Sequence, residues 1–144
     1  MIDIYIIDNN HKVQQRFETM RNRTIRVDHD EMMALTNVER SKPSVILLNY
    51  ELRRQRTAEY IALLHSASPD TRILFVTDRM NEEEIIDCLI SGAQGYLQID
   101  ELDKYADKAI NAVKQGEAWI PRRIAALMLD KLRAYTFTST QSYH

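Results

Sequence analysis

The sequence predicts an α/β fold: a doubly wound five-stranded parallel sheet with helices on both faces and an extra helix at the carboxyl end. Three observations predict it. The continuous apolar runs Ile4-Tyr5-Ile6-Ile7, Val45-Ile46-Leu47-Leu48 and Ile73-Leu74-Phe75-Val76 are short and β-rich, as in strands covered on both faces. Helix-length segments with apolar residues at three- and four-residue spacing lie between them. The order is a βα unit repeated five times, and right-handed crossovers turn such a series into a parallel sheet between two helix layers.

In chain order, the first strand at Ile4 to Ile7 leads to a helix over 12–21. Thr24-Ile25-Arg26-Val27 alternates in polarity, as expected of a strand near an edge, and precedes a helix over 30–41. Pro43 and Pro69 each stand a few residues before a strand, where a helix cannot continue. A helix over 56–67 links the third and fourth strands. Asn81 followed by Glu82, Glu83 and Glu84 is a helix start, a capping side chain and then acids at the positive end of the dipole. Ser91-Gly92 ends that helix near 92. Tyr96-Leu97-Gln98-Ile99 is a weaker fifth strand. In the helix over 102–115, Leu102, Tyr105, Ala106, Ala109, Ile110 and Val113 form one stripe, ended by Gly116. Pro121 suits the first turn of a sixth helix, with Ile124, Leu127, Met128, Leu132 and Tyr135 on its apolar face. Residues 136–144 are rich in Ser and Thr without periodicity and read as a linker or disordered tail. The division expected is a domain over 1–117, an additional helix within 118–135, and the tail.

Composition excludes several functions. The chain has 144 residues, 44% hydrophobic and 28% charged, a balance that suits one globular domain. A formal net charge of −2 lacks the basic excess of a duplex-binding domain. No apolar run approaches the ~20 residues of a membrane span, and no leader is expected. Cys88 is the single cysteine, so no internal disulfide forms, and a cytoplasmic location is expected. With glycine only at 92, 95 and 116, there is no glycine cradle for phosphates. The four histidines are scattered and make no zinc constellation.

In open α/β sheets the working site lies beyond the carboxyl ends of the strands. The residues there are Asp8 and Asn9, Asn49, Thr77 and Asp78, and Ile99 and Asp100. They offer no nucleophile–base pair, which disfavours an enzyme, and no cofactor is expected.

Five segments in order carry a resemblance: Ile6-Ile7-Asp8, Lys42-Pro43-Ser44-Val45-Ile46-Leu47-Leu48, Ser68-Pro69-Asp70-Thr71-Arg72-Ile73-Leu74, Gly92-Ala93-Gln94-Gly95-Tyr96-Leu97 and Gly116-Glu117-Ala118-Trp119-Ile120-Pro121-Arg122. Over about residues 1–135 the chain resembles the receiver domain of bacterial response regulators, in the NarL/FixJ (LuxR-type) subfamily. The resemblance implies the receiver (CheY/flavodoxin-like) fold. It also implies a pocket of five parts. Two acids after the first strand and an aspartate after the third hold Mg²⁺, and that third aspartate takes a phosphoryl group from a kinase. A Ser or Thr after the fourth strand and a Lys after the fifth neutralise and report the phosphate.

By position, Asp8 and Thr77 are retained. The second acid is Asn9, the phosphoacceptor is Asn49 and the lysine is Ile99. An aspartate oxygen can attack phosphorus, whereas the Asn49 amide is a weak nucleophile, so no aspartyl phosphate forms there. Mg²⁺ prefers hard anionic oxygens, and one carboxylate of three remains. A lysine beside so few carboxylates would be a buried, poorly paired charge, and Ile99 avoids it. The three substitutions read as one change, from a charged pocket to a nearly neutral one.

Other features carry a bland reading beside a functional one. A Thr77 hydroxyl with no phosphate to bind is expected to bond a neighbouring backbone group. Tyr96 stands at the family's aromatic switch position and is either locked or simply core. Arg53, Arg54 and Arg56 form a solvated loop, or hold an anion or pair with Asp8 and Glu51. The acidic fourth helix and the basic residues Lys12, Arg16, Arg21, Arg23 and Arg26 are solvated faces or partner surfaces. Trp119 near Arg122 is similar to a motif that binds cyclic di-GMP in one branch of the subfamily, though ordinary members also fit it. The expectation is a phosphorylation-independent receiver that dimerises through its fifth or sixth helix and controls a DNA-binding output domain. The alternatives are a stand-alone receiver-like adaptor for a signalling partner, or a receiver sensing a cyclic dinucleotide.

Overall fold

The structure is a computed structural model that describes residues 2–8, 12–17, 23–52, 56–78 and 81–141. Its elements run β1 (Ile4–Ile7), α1 (Lys12–Phe17), β2 (Ile25–Asp28), α2 (Glu31–Ser41), β3 (Val45–Asn49), α3 (Thr57–Ala67), β4 (Arg72–Thr77), α4 (Glu82–Ser91), β5 (Gly95–Gln98), α5 (Leu102–Lys114) and α6 (Arg122–Gln141). The sheet has five strands in the order β2-β1-β3-β4-β5, every pair parallel. The fold is the doubly wound one that the βα order predicts, and β2 lies at an edge.

Strand alternation sorts the core onto two faces. Tyr5, Ile7, Ile46, Leu48, Ile73 and Phe75 pack with α2, α3 and α4. Ile4, Ile6, Val45, Leu47, Leu74 and Val76 pack with α1 and α5. Two-sided burial is why these strands read as unbroken apolar runs. The predicted caps are present: the Asn81 side chain accepts from the Glu84 N–H at 2.8 Å, and Gly92 ends α4 with φ 135°.

After α5 the chain turns back along β5. The Trp119 N–H donates to the Gln94 carbonyl at 3.1 Å, and the Tyr96 N–H donates to the Trp119 carbonyl at 3.2 Å. The next rung would need the N–H of residue 121, and Pro121 has none. This single-bridge extension explains Gly95: a Cβ there would lie 2.4 Å from the Trp119 carbonyl oxygen.

The sixth helix departs from the sequence reading, which ends it at 135. It runs on to Gln141. No Gly or Pro follows Pro121, so nothing in the sequence breaks the helix once it has started. Its first half folds back onto the domain. Ile124 is buried in the α2–α3–α4 core, with Leu127 and Met128 packed against it. Further along, Leu129, Leu132 and Tyr135 are exposed.

Gly95→Ala is expected to cost about 2 kcal/mol through overpacking against the Trp119 backbone. The urea midpoint should fall, and emission from Trp119, the chain's one tryptophan, should shift red as the segment detaches. An unchanged midpoint would mean that the 117–121 segment is not held against β5.

Candidate functional site

The carboxyl ends of β1, β3 and β4 bring Asp8, Asn49 and Thr77 together, each buried. Asp8 organises the group. One of its oxygens, Oδ2, accepts from the Val13 N–H at 2.8 Å and the Gln14 N–H at 3.0 Å, the first amides of α1, which have no partner inside the helix. The other, Oδ1, accepts from Asn49 Nδ2 at 2.8 Å. In turn Asn49 Oδ1 accepts from the Glu51 N–H at 3.0 Å. The amide therefore joins the end of β3 to the end of β1. Beside it, the His29 ring Nδ1–H donates to the Asp8 carbonyl.

Next in the chain after Asn49, Tyr50 donates its hydroxyl to the Glu84 carboxylate, tying the end of β3 to α4. Burial first, then this carboxylate, raises the Tyr50 pKa far above the phenol range. Thr77 is different. Its Oγ1 is buried with no hydrogen-bond partner among the described residues, so the expected bond to backbone is not made. Ile99 opens the turn after β5, half-buried against the α1–α5 core. Asp78 and Asp100 are exposed. Asn9, Arg53 and Arg54 lie outside the described residues, as do Arg21 and the side chains of Lys12 and Arg16.

Tyr96 is turned inward, 8% exposed and stacked on Phe75 with centroids 5.3 Å apart. Trp119 contacts Tyr105 and lines a cleft of about 370 Å³ with Tyr96, Gln98, Glu101 and Pro121. Arg122 is exposed at the start of α6 and does not line that cleft. A wider cleft, about 450 Å³, lies at the opposite end of the sheet near Lys42, Arg72 and Lys114, remote from the strand-end residues.

The acidic α4 meets its own chain: Glu82 pairs with Arg123, and Asp87 with Lys131 at 2.9 Å. Of the basic residues, Arg23 pairs with Asp3 and Asp107, both at 3.3 Å. In the loop after β3, Arg56 pairs with Glu59 at 3.4 Å, both exposed. Burial, then Asp87 and Glu84, pushes the Cys88 thiol up to about 12, so it stays protonated and inert.

The family model for the response regulator receiver domain matches residues 4–104. This chain belongs to that family. It is 30% identical over 100 residues, 69% of this chain and 46% of the relative, to the DNA-binding transcriptional activator DevR/DosR of Mycobacterium tuberculosis. It is 33% identical over 117 residues, 81% of this chain and 51% of the relative, to the uncharacterized transcriptional regulatory protein YxjL of Bacillus subtilis. The chain thus spans about half the length of these curated relatives. Among solved structures, the isolated receiver domain of RcsB from Salmonella enterica serovar Typhimurium shares the fold. Its TM-score is 0.72 at 15% identity, over 89% of this chain and 98% of that one. A LuxR-family two-component response regulator from Aurantimonas shares it too, at TM-score 0.72 and 17% identity, over 90% of this chain and 96% of that one.

In receivers the strand-end acids imply a Mg²⁺ ion. The residues described here do not fit one. A single carboxylate remains, both of its oxygens already accept N–H groups, and the facing side chain presents an amide donor. No three metal-ligating side chains converge among the described residues.

Asn49→Asp is expected to destabilise this receiver by about 3 kcal/mol at pH 7, because it removes the donor on Asp8 and sets a second carboxylate against the first. Like charge raises the folded pKa of the pair above the unfolded value. The penalty therefore grows as pH rises through that window and shrinks below it. Urea midpoints at pH 5 and pH 7 check this, and a deficit that does not narrow at pH 5 contradicts it.

Proposed function

We propose that this receiver acts without phosphorylation, as a dimerising module that controls a DNA-binding output domain in a longer regulator. The observation that carries the reading is the Asn49–Asp8 hydrogen bond. The side chain at the acceptor position is a poor nucleophile that spends its N–H on the one remaining acid. What draws two strand ends together is an amide donor in place of a cation. The output domain rests on the transcriptional relatives and on the half of their length that this chain does not span. The described helices include none long and apolar enough to cross a membrane.

Incubation with acetyl phosphate and Mg²⁺ is expected to add no phosphoryl mass. A gain of one phosphoryl group mapped to residues 45–52 would refute the reading.

For assembly, the second half of α6 carries Leu129, Leu132 and Tyr135 exposed at three-residue spacing, a face that a twofold partner would cover reciprocally. Sedimentation of the full chain is expected to show a dimer. The pair Leu129→Glu with Leu132→Glu should yield a monomer with the wild-type circular dichroism, since both residues are exposed in the single chain. A wild-type chain that stays monomeric at high micromolar concentration, or a double variant that still dimerises, places the interface elsewhere or removes it.

A further inference from the structure

The cleft beside β5 is lined by none of Asp8, Asn49, Thr77 and Ile99. Pairing along the β5 edge stops at Pro121, so the Tyr96 carbonyl receives no N–H from the 117–121 segment. The following edge group, the Gln98 N–H, turns to Glu101 Oε1 at 2.9 Å, which holds that carboxylate at the rim. Trp119 and Tyr96 are both among its lining residues. Among the described residues the cleft is lined by Trp119, Tyr96, the acid Glu101 and the strand edge, and by no basic side chain. Of the two arginines that follow Pro121, Arg122 does not line the cleft, and Arg123 is committed to Glu82. The Tyr96 hydroxyl senses the same field: its pKa is raised by burial first, and then by the charges of Glu101 and Glu82. At about 370 Å³ the volume sits at the small end of ligand clefts, with room for one side chain rather than a dinucleotide.

We infer that this cleft docks a basic segment of a partner protein, seating one arginine with its guanidinium on the Trp119 ring and paired to Glu101. A planar cation satisfies both features at once: it stacks on indole and forks onto a carboxylate, which lysine does less well. A segment rather than a free small cation is favoured because the strand edge offers the Tyr96 carbonyl to a backbone N–H. Negative charge and the absence of a lining arginine oppose a cyclic dinucleotide, despite the Trp119 and Arg122 pattern.

Trp119 is the only tryptophan, so its fluorescence reads the cleft directly. The full chain is titrated with a blocked pentapeptide bearing one central arginine between alanines, and with its citrulline counterpart, which keeps the shape and loses the charge. The arginine peptide is expected to give a saturable change, with the citrulline peptide about fivefold weaker or more. Glu101→Gln, which preserves the cap on the Gln98 N–H, should weaken the arginine peptide by a similar factor with unchanged circular dichroism. Equal binding of the two peptides, or full affinity in Glu101→Gln, overturns the cation site. N-acetylargininamide binding as tightly as the pentapeptide overturns the segment as occupant. Tighter binding of cyclic di-GMP than of the arginine peptide overturns the inference altogether.

Discussion

The bond from the Asn49 amide to the Asp8 carboxylate sets the conditions for the whole carboxyl end of the sheet. Asp8 is fully buried, and a buried carboxylate costs several kcal/mol unless its oxygens are served. Two of its donors come from the first turn of α1 and the third from β3. The carboxylate therefore fixes where α1 begins and holds it against two strands. The amide can be turned only one way, because Asn49 Oδ1 meets the Glu51 N–H while Nδ2 meets the acid. An aspartate at 49 would present two carboxylates to each other and require a cation between them. The amide removes that requirement and supplies the donor itself.

The rest of the pocket follows from that neutrality, with one exception. With a single acid already bonded, a lysine after β5 would find little to pair with. Position 99 instead holds an isoleucine packed on the α1–α5 core. Tyr96 is sheltered against Phe75, and Tyr50 and Glu84 fasten the loop after β3 to α4. The exception is Thr77. A buried hydroxyl without a partner costs about 1–3 kcal/mol, and nothing among the described residues serves it. Among the described residues of the pocket, its hydroxyl is the buried polar group left without a partner.

The sequence disclosed the strands in proportion to their burial. β1, β3 and β4 are covered on both faces and read as unbroken apolar runs, whereas β2 and β5 have weaker patterns, β2 because it lies at the edge. Turn and cap residues such as Asn81 and Gly92 were legible because their chemistry is local. The hydrogen bond between Asp8 and Asn49 was not: the positions were legible from strand order, but residues this far apart reveal no side-chain pairing. The Trp119 extension was hidden because one bridge leaves no periodicity. Only Gly95, where a side chain would strike the Trp119 carbonyl, marks it. The end of α6 was misplaced because Ser and Thr are poor helix formers but not breakers, and a helix already under way runs through them.

The acidic face of α4 reads in sequence as a solvated surface, yet it is the platform on which α6 lies. What holds α6 there is unevenly distributed. Ile124 enters the core, and Leu127 and Met128 cover its rim, so the apolar attachment is confined to the first turns. The pairs Arg123–Glu82 and Lys131–Asp87 involve largely exposed groups, and pairs of that kind add little strength. They instead choose the direction, since each matches a base on α6 with an acid on α4 at a different point along both helices. α6 is thus pinned at its start and aimed along α4 by charge. The β5 edge is covered only as far as Trp119, and Pro121 then forces the chain to leave the strand and begin the helix. One proline therefore both ends the sheet and starts the element that lies across α4.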